Sequence, residues 1–267
     1  MNGITISTDP MIAQWGPFML SWYNLFFMLA VLAGGWLGLR EARRKGIDTE
    51  RMQALILWGL LGGIVGARLF HVIDRWDLYA DEPVRVLYVW EGGLAVYGGL
   101  VGGVLAGFLY ARLNGLPFWR TADAAAPGLI LGQGLGRLAC IPNGDALGAP
   151  TDVPWAFVYT NPATMVPPEL LGQPLHPYPI YELLFDFAVL GLLWKLRGVY
   201  KADGMLFLTY VGVYAVGRFL LTFFRTEQIW FLGLQEAQVV ALALLILTVP
   251  LISWRMQSAR RLDRQPA

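Results

Sequence analysis

Residues 132–148 read GQGLGRLACIPNGDALG, and the fold turns on this stretch. It closes an apolar segment, yet it carries Arg137 where a membrane span ordinarily carries Leu. Asn143 and Asp145 follow close behind. Five glycines and Pro142 weigh against a smooth helix through all of it. A charge at membrane depth is costly and marks a site with a partner nearby. Irregular backbone at that depth is held only where it is buried in protein or lines a wet cavity. The stretch therefore predicts the floor of a polar pocket inside a membrane protein. The competing reading is a helix end whose arginine snorkels to the surface. The neighbouring Asn143 and Asp145 favour the pocket.

Composition agrees. Of 267 residues 56% are hydrophobic and only 15% charged, with a mean hydropathy of +0.51. Soluble domains carry roughly 25% charged residues, so this is an integral membrane protein. A net charge of +1 offers nothing to hold nucleic acid. A single cysteine, Cys140, excludes an internal disulfide framework. Two histidines, His71 and His176, argue against a histidine-rich metal centre, and no cofactor is expected. The N-terminus lacks a basic region followed by an apolar core, so the first span is expected to direct insertion itself.

On either side of this stretch, seven apolar segments are long enough to cross a bilayer as helices: about 18–39, 52–73, 92–111, 121–139, 178–196, 204–224 and 234–253. The expectation is an all-α polytopic membrane protein, one integral-membrane domain over 1–267. Trp22 and Tyr23 open the first span as an interfacial aromatic pair. The loop REARRKGIDTER (40–51) is basic, whereas loop 74–91 is acidic and includes Glu91. Counted over alternate connections, the last being the tail with Arg264, one side carries fourteen Lys and Arg and the other only Arg75, Arg85 and Arg225. The positive-inside rule then places the C-terminus in the cytoplasm and the N-terminus outside. Residues 139–177 hold no Lys or Arg after Arg137 and are rich in proline and aromatics, as in PWAFVYTNP (154–162). They are too apolar for a disordered linker and read as a small extracytoplasmic cap.

Arg68, Arg137 and Arg218 remain inside or near spans, with Tyr214 one turn before Arg218. Tyr181 and Glu182 open the fifth span, and Asp186 follows. Three intramembrane arginines against few acids suit an anion held by bidentate hydrogen bonds, and in a membrane the available phosphates are lipid headgroups. The alternative is that each arginine pairs with Glu182, Asp186 or backbone carbonyls as structural glue. Glycines 62, 63, 66, 102, 103 and 107 have the spacing of close helix packing. GGLAVYGGL (92–100) is denser than packing requires, which would bring Gly98, Gly99 and Tyr97 close to a ligand.

GRLACIPNGDALGAPTDVPWAFV (136–158) resembles the signature region of the prolipoprotein diacylglyceryl transferases. The chain keeps Gly136, Arg137, Asn143, Gly148 and the run from Pro150 to Ala156. Trp22-Tyr23, EGGLAVYGGLVGG, HPYPIYE, GRFLLTFFR and LQEAQ resemble other family segments in the same order, so the likeness covers nearly the whole chain. Cys140 stands where many members have Asn, Asp145 replaces the usual Glu, Tyr97 takes a position often held by His, and Thr222 sits where a late acid is common.

The resemblance implies a bacterial inner-membrane enzyme. It would transfer the diacylglyceryl group of phosphatidylglycerol to the lipobox cysteine thiol of a prolipoprotein, the first step of lipoprotein maturation. Such chemistry needs a phosphate clamp, a thiolate and shielded acyl chains. Arg137 and Arg218 are the expected clamp, with Asn143 and Asp145 orienting the headgroup. Tyr23, Tyr97 and Tyr214 are the hydrogen-bond candidates, Tyr97 being the choice for general base. Arg68, Gly98, Gly99, Gly148, Tyr181 and Glu182 complete the expected binding set. Two other readings keep the pocket: a different phospholipid-headgroup transferase, and a transporter of an anionic solute. Against the latter, the chain shows no convincing internal repeat.

Overall fold

The computed structural model describes residues 3–16, 18–89, 92–226 and 229–262. Glu91 and Arg264, both used in the charge reading, lie outside the described residues. The order is β1 (Ile4–Ile6), β2 (Met11–Trp15), β3 (Phe18–Ser21), α1 (Trp22–Arg44), α2 (Thr49–Asp74), α3 (Val96–Leu113), α4 (Phe118–Asn143), β4 (Phe157–Tyr159), β5 (Pro174–Leu175), α5 (Tyr178–Leu196), α6 (Met205–Leu221), β6 (Ile229–Phe231), β7 (Leu234–Gln235) and α7 (Glu236–Leu262).

The protein is helical and polytopic, as the apolar segments predict. Among the described residues six helices are long and apolar enough to cross a membrane. α5 is the exception: its nineteen residues include Glu182, Asp186 and Lys195. The first connection differs from the sequence reading. Residues 40–44 continue α1, because Arg, Glu and Ala are good helix formers and carry a helix past the apolar stretch. The turn is then short. Gly46 (φ +68°) ends α1, and Asp48 caps α2 by accepting from the Glu50 and Arg51 amides.

The chain divides into two compact units, residues 39–124 and residues 1–38 with 125–267. In the first, α2 and α3 approach so closely that a Cβ on Gly66 would stand 2.8 Å from the Gly102 Cα. Only glycine on both helices permits this backbone contact. Lys45 and the buried Asp123 pair at 3.0 Å in the same unit.

In the second unit Ala126, Ile130, Val189, Leu193 and Leu206 form a core shared by α4, α5 and α6. The apolar window of α4 is 44% buried, the highest share of the six spanning helices. Residues 139–143 of the segment expected as a cap belong to α4, and the rest, 144–177, folds onto a small sheet, but not alone. Its strand β4 pairs antiparallel with β5 and parallel with β1, in register Ile4↔Phe157 and Ile6↔Tyr159. The cap thus recruits the N-terminal strand ITI, a β-branched triplet suited to a sheet. Phe157, Tyr159, Val166 and Leu175 are its buried core. Two hairpins, β2–β3 and β6–β7, precede α1 and α7.

Candidate active site

The break expected within 132–148 falls later than the glycine count suggested. α4 runs unbroken through Pro127 and Pro142 to Asn143 and stops at Gly144, whose φ of +71° suits no residue so well as glycine. Of the glycines before it, Gly132 and Gly134 serve packing, whereas a Cβ on Gly136 would meet nothing within 4 Å. A Cβ on Gly132 would approach the Ala30 carbonyl of α1 to 3.3 Å, and one on Gly134 the Asp186 side chain to 3.2 Å. Arg137 therefore projects from a regular helix.

Helix α5 supplies its partner. Tyr178, Glu182, Asp186, Val189 and Leu193 are buried at three- and four-residue spacing, one stripe of the helix. Glu182 lies between two arginines. Its Oε1 accepts a hydrogen bond from Arg218 Nη1, and its Oε2 stands 2.8 Å from Arg137 Nε, an ion-pair contact rather than an aligned hydrogen bond. Arg218 Nη1 also donates to the Tyr178 hydroxyl at 2.7 Å. Side-chain exposures are 22% for Arg137, 18% for Arg218 and 3% for Glu182. Arg218 comes from the last turn of α6, where a cation complements the helix dipole. Thr222 is fully buried, and its hydroxyl bonds back to the Arg218 carbonyl at 2.6 Å.

Around this triad lie further polar groups. The buried Cys140 thiol stands within electrostatic reach of both Arg137 and Asp145. Tyr23 stands within electrostatic reach of Asp145, Cys140 and Arg137. Tyr214 stands within reach of Arg137, Arg218, Glu182 and Asp186. Asp186 is 1% exposed, and neither carboxylate oxygen has a hydrogen-bond partner among the described residues. Tyr210 donates to Gln133. In the cap, burial pushes the Tyr159 phenol above its ordinary value, with Asp145 adding to the shift. Asn143 bonds Met165, through its side-chain amide to the sulfur at 3.2 Å and its carbonyl to the Met165 amide at 2.9 Å. Gly148 forms an isolated bridge with Arg225, whose guanidinium lies over the Tyr178 ring at 4.9 Å.

The structure brings together Tyr23, Arg137, Asp145, Glu182, Tyr214 and Arg218 within the second unit. Tyr181 belongs to the same unit but bonds Trp155 and His176. Arg68, Tyr97, Gly98 and Gly99 belong to the unit 39–124. There Arg68 is 5% exposed and bonds four backbone carbonyls, those of Arg85 (2.5 Å), Val86 (2.9 Å), Gly92 (2.6 Å) and Gly93 (3.2 Å). That is the structural-glue alternative in its backbone form, whereas Arg137 and Arg218 both pair with Glu182, the carboxylate that the same alternative named. Gly98 is buried against Gly66 and Phe70, so the close approach expected with a ligand is made with α2. Tyr97 sits in the first turn of α3, 37% exposed. Sequence reasoning missed Tyr178, Tyr159, Gln133 and Arg225. The four-residue spacing of Tyr178, Glu182 and Asp186 was the available signal for the first.

The fold is that of a multi-pass membrane protein, with two arginines bridged by one buried carboxylate among its helices. The family profile of the prolipoprotein diacylglyceryl transferases matches residues 10–254. Similar proteins named phosphatidylglycerol–prolipoprotein diacylglyceryl transferase occur in Nostoc sp. (35% identical, over 93% of this chain and 89% of that one), Bacillus licheniformis (34%; 99% and 98%) and Thermosynechococcus vestitus (38%; 85% of each). The chain belongs to the prolipoprotein diacylglyceryl transferase family.

Proposed function

We propose that this chain is the transferase its family describes, moving the diacylglyceryl group of phosphatidylglycerol to the lipobox cysteine thiol of a prolipoprotein. The observation that carries this reading is the Arg137–Glu182–Arg218 bridge. Two guanidiniums share one bonded carboxylate, so each keeps N–H groups that Glu182 does not engage for a phosphate. Glu182 engages Arg137 through Nε, so the Nη pair is the edge that meets the phosphate oxygens. Asn143, Asp145 and Gly148 lie where the chain leaves α4, suited to the headgroup glycerol; Tyr23 and Tyr214 offer hydroxyls to the same region. Arg68 holds the carbonyls of Arg85, Val86, Gly92 and Gly93, ahead of Tyr97, Gly98 and Gly99. In the reaction the thiol loses its proton, sulfur bonds the glycerol carbon that carries the phosphate, and the C–O electron pair leaves with glycerol phosphate. Cations near the sulfur favour thiolate and stabilise the leaving group.

The test is an assay of membranes with radiolabelled phosphatidylglycerol and a lipobox peptide. Label should pass to the peptide as glycerol phosphate is released. Movement of an anionic solute with no phospholipid consumed would turn the reading to a transporter.

Cys140 is not expected to act as a covalent nucleophile, because the acceptor brings its own thiol. Cys140→Ser and Cys140→Ala should retain substantial turnover. Mass spectrometry of purified enzyme incubated with phosphatidylglycerol alone should find no lipid adduct. An adduct abolished by Cys140→Ser would establish a covalent intermediate.

We place the chain in the bacterial cytoplasmic membrane with its cap and N-terminus outside and its C-terminus in the cytoplasm. The basis is the charge asymmetry of the connections. A reporter fused after Arg264 should be cytoplasmic. Ala163→Cys, in an exposed cap turn, should react with a membrane-impermeant thiol reagent applied to spheroplasts. Protection of that thiol, or an external reporter, would reverse the orientation.

A further inference from the structure

The junction between the cap and α5 carries a second chain of hydrogen bonds, outside the arginine bridge. Trp155 Nε1 donates to the Tyr181 hydroxyl at 2.9 Å, and that hydroxyl lies 3.1 Å from His176 Nδ1. An indole N–H only donates, so the phenol oxygen accepts there. The arrangement that uses every group directs the phenol proton at Nδ1 and leaves the imidazole proton on Nε2. Packing holds the ring still. Phe224 meets His176 edge-on at 5.2 Å and Tyr181 at 5.7 Å, and the His176 amide bonds the Ala149 carbonyl at 2.9 Å. Tyr181 lies one turn after Tyr178, whose hydroxyl binds Arg218, and directly before Glu182. Trp155 is 53% exposed, while Tyr178 is fully buried and engaged by Arg218. The chain therefore opens at Trp155 on the cap, and its Tyr181 lies one helical turn from the residue that binds Arg218.

We propose that Tyr181 and His176 take up the proton of the acceptor thiol, an assignment that rests on the transferase reading above. The thiol proton passes to the Tyr181 oxygen as the phenol proton passes to His176 Nδ1. The sulfur then bonds the glycerol carbon, and the C–O electron pair departs with glycerol phosphate. The imidazolium returns its proton through the phenol to the released phosphate or to water, so no further reactant is required. Tyr181 meets the thiol. His176 acts through it, as a positioning residue that holds the proton.

The titratable and charged groups on the elements around His176 are Tyr178, Tyr181 and Glu182 on α5, Arg225 beyond the 222–224 turn, and Asp145 and Asp152 on the segment that carries Gly148 and Trp155. The ring's shift has one cause: burial lowers it from its ordinary value. A base so lowered is neutral and competent above its pKa and protonated below it. The rate is thus present at neutral pH and falls as pH drops below the usual histidine value of about 6.5.

The experiment measures turnover of phosphatidylglycerol and lipobox peptide from pH 4.5 to 8 by purified wild type, His176→Asn and Tyr181→Phe. The second variant removes one oxygen and keeps the ring, so it stands if the first fails to fold. Each variant should lose about 10²-fold in kcat at neutral pH, with KM for phosphatidylglycerol within about twofold. Each should also lose the acid limb seen in wild type. Variants with wild-type kcat and an unchanged acid limb overturn the relay while leaving the transferase reading intact. A wild type that consumes no phosphatidylglycerol at any pH sinks both.

Discussion

Glu182→Gln is expected to destabilise the protein by about 3–5 kcal/mol, the cost of leaving buried charge without its partner. Glu182 is 2% exposed and stands between Arg137 and Arg218, so its loss strands two guanidiniums at once. The amide keeps the volume and one acceptor oxygen but not the charge. Asp186, one turn further along α5, makes no hydrogen bond to the described residues and supplies only long-range compensation. The measurement is thermal unfolding in detergent with the yield of inserted protein. Arg218→Gln on the Glu182→Gln background should recover part of the loss, because the penalty is uncompensated charge rather than missing packing. Additive single and double losses, or a Glu182→Gln protein as stable as wild type, would show that the bridge contributes nothing to the fold.

Arg137→Lys separates binding chemistry from folding. The ammonium keeps a positive charge facing Glu182, so insertion and thermal stability should change little. What it loses is the planar fork that grips two phosphate oxygens at once. Turnover should fall by about 10²–10³-fold, the usual consequence of removing a preorganised donor from a developing oxyanion. Wild-type turnover in this variant would reject bidentate phosphate binding by Arg137.

Much of the site is legible in the order of residues alone. Arg137 and Arg218 stand out because a charge within an apolar run has no cheap explanation. Glu182 stands out for the same reason, and it is the residue that joins them. Arg68 looks identical by that criterion, yet its guanidinium is spent on the carbonyls of Arg85, Val86, Gly92 and Gly93. Hydropathy reports that a charge is buried, not what satisfies it. Gly98 illustrates the same limit. Its spacing announces close approach, but whether to a ligand or a neighbouring helix depends on which face α2 covers.

The class of protein, the order of its apolar segments and the arginines that carry charge into them are all written in the linear chain. They follow from composition and from periodicity, since the bilayer imposes the same length and polarity on every span. Three-dimensional packing alone decides that the cap borrows its first strand from residues 4–6 and that Arg218 reaches Tyr178 and Glu182. Each of these rests on pairing between residues far apart in the chain. Such pairing leaves no local signature, because the energy that selects it comes from the partner and not from the residue itself.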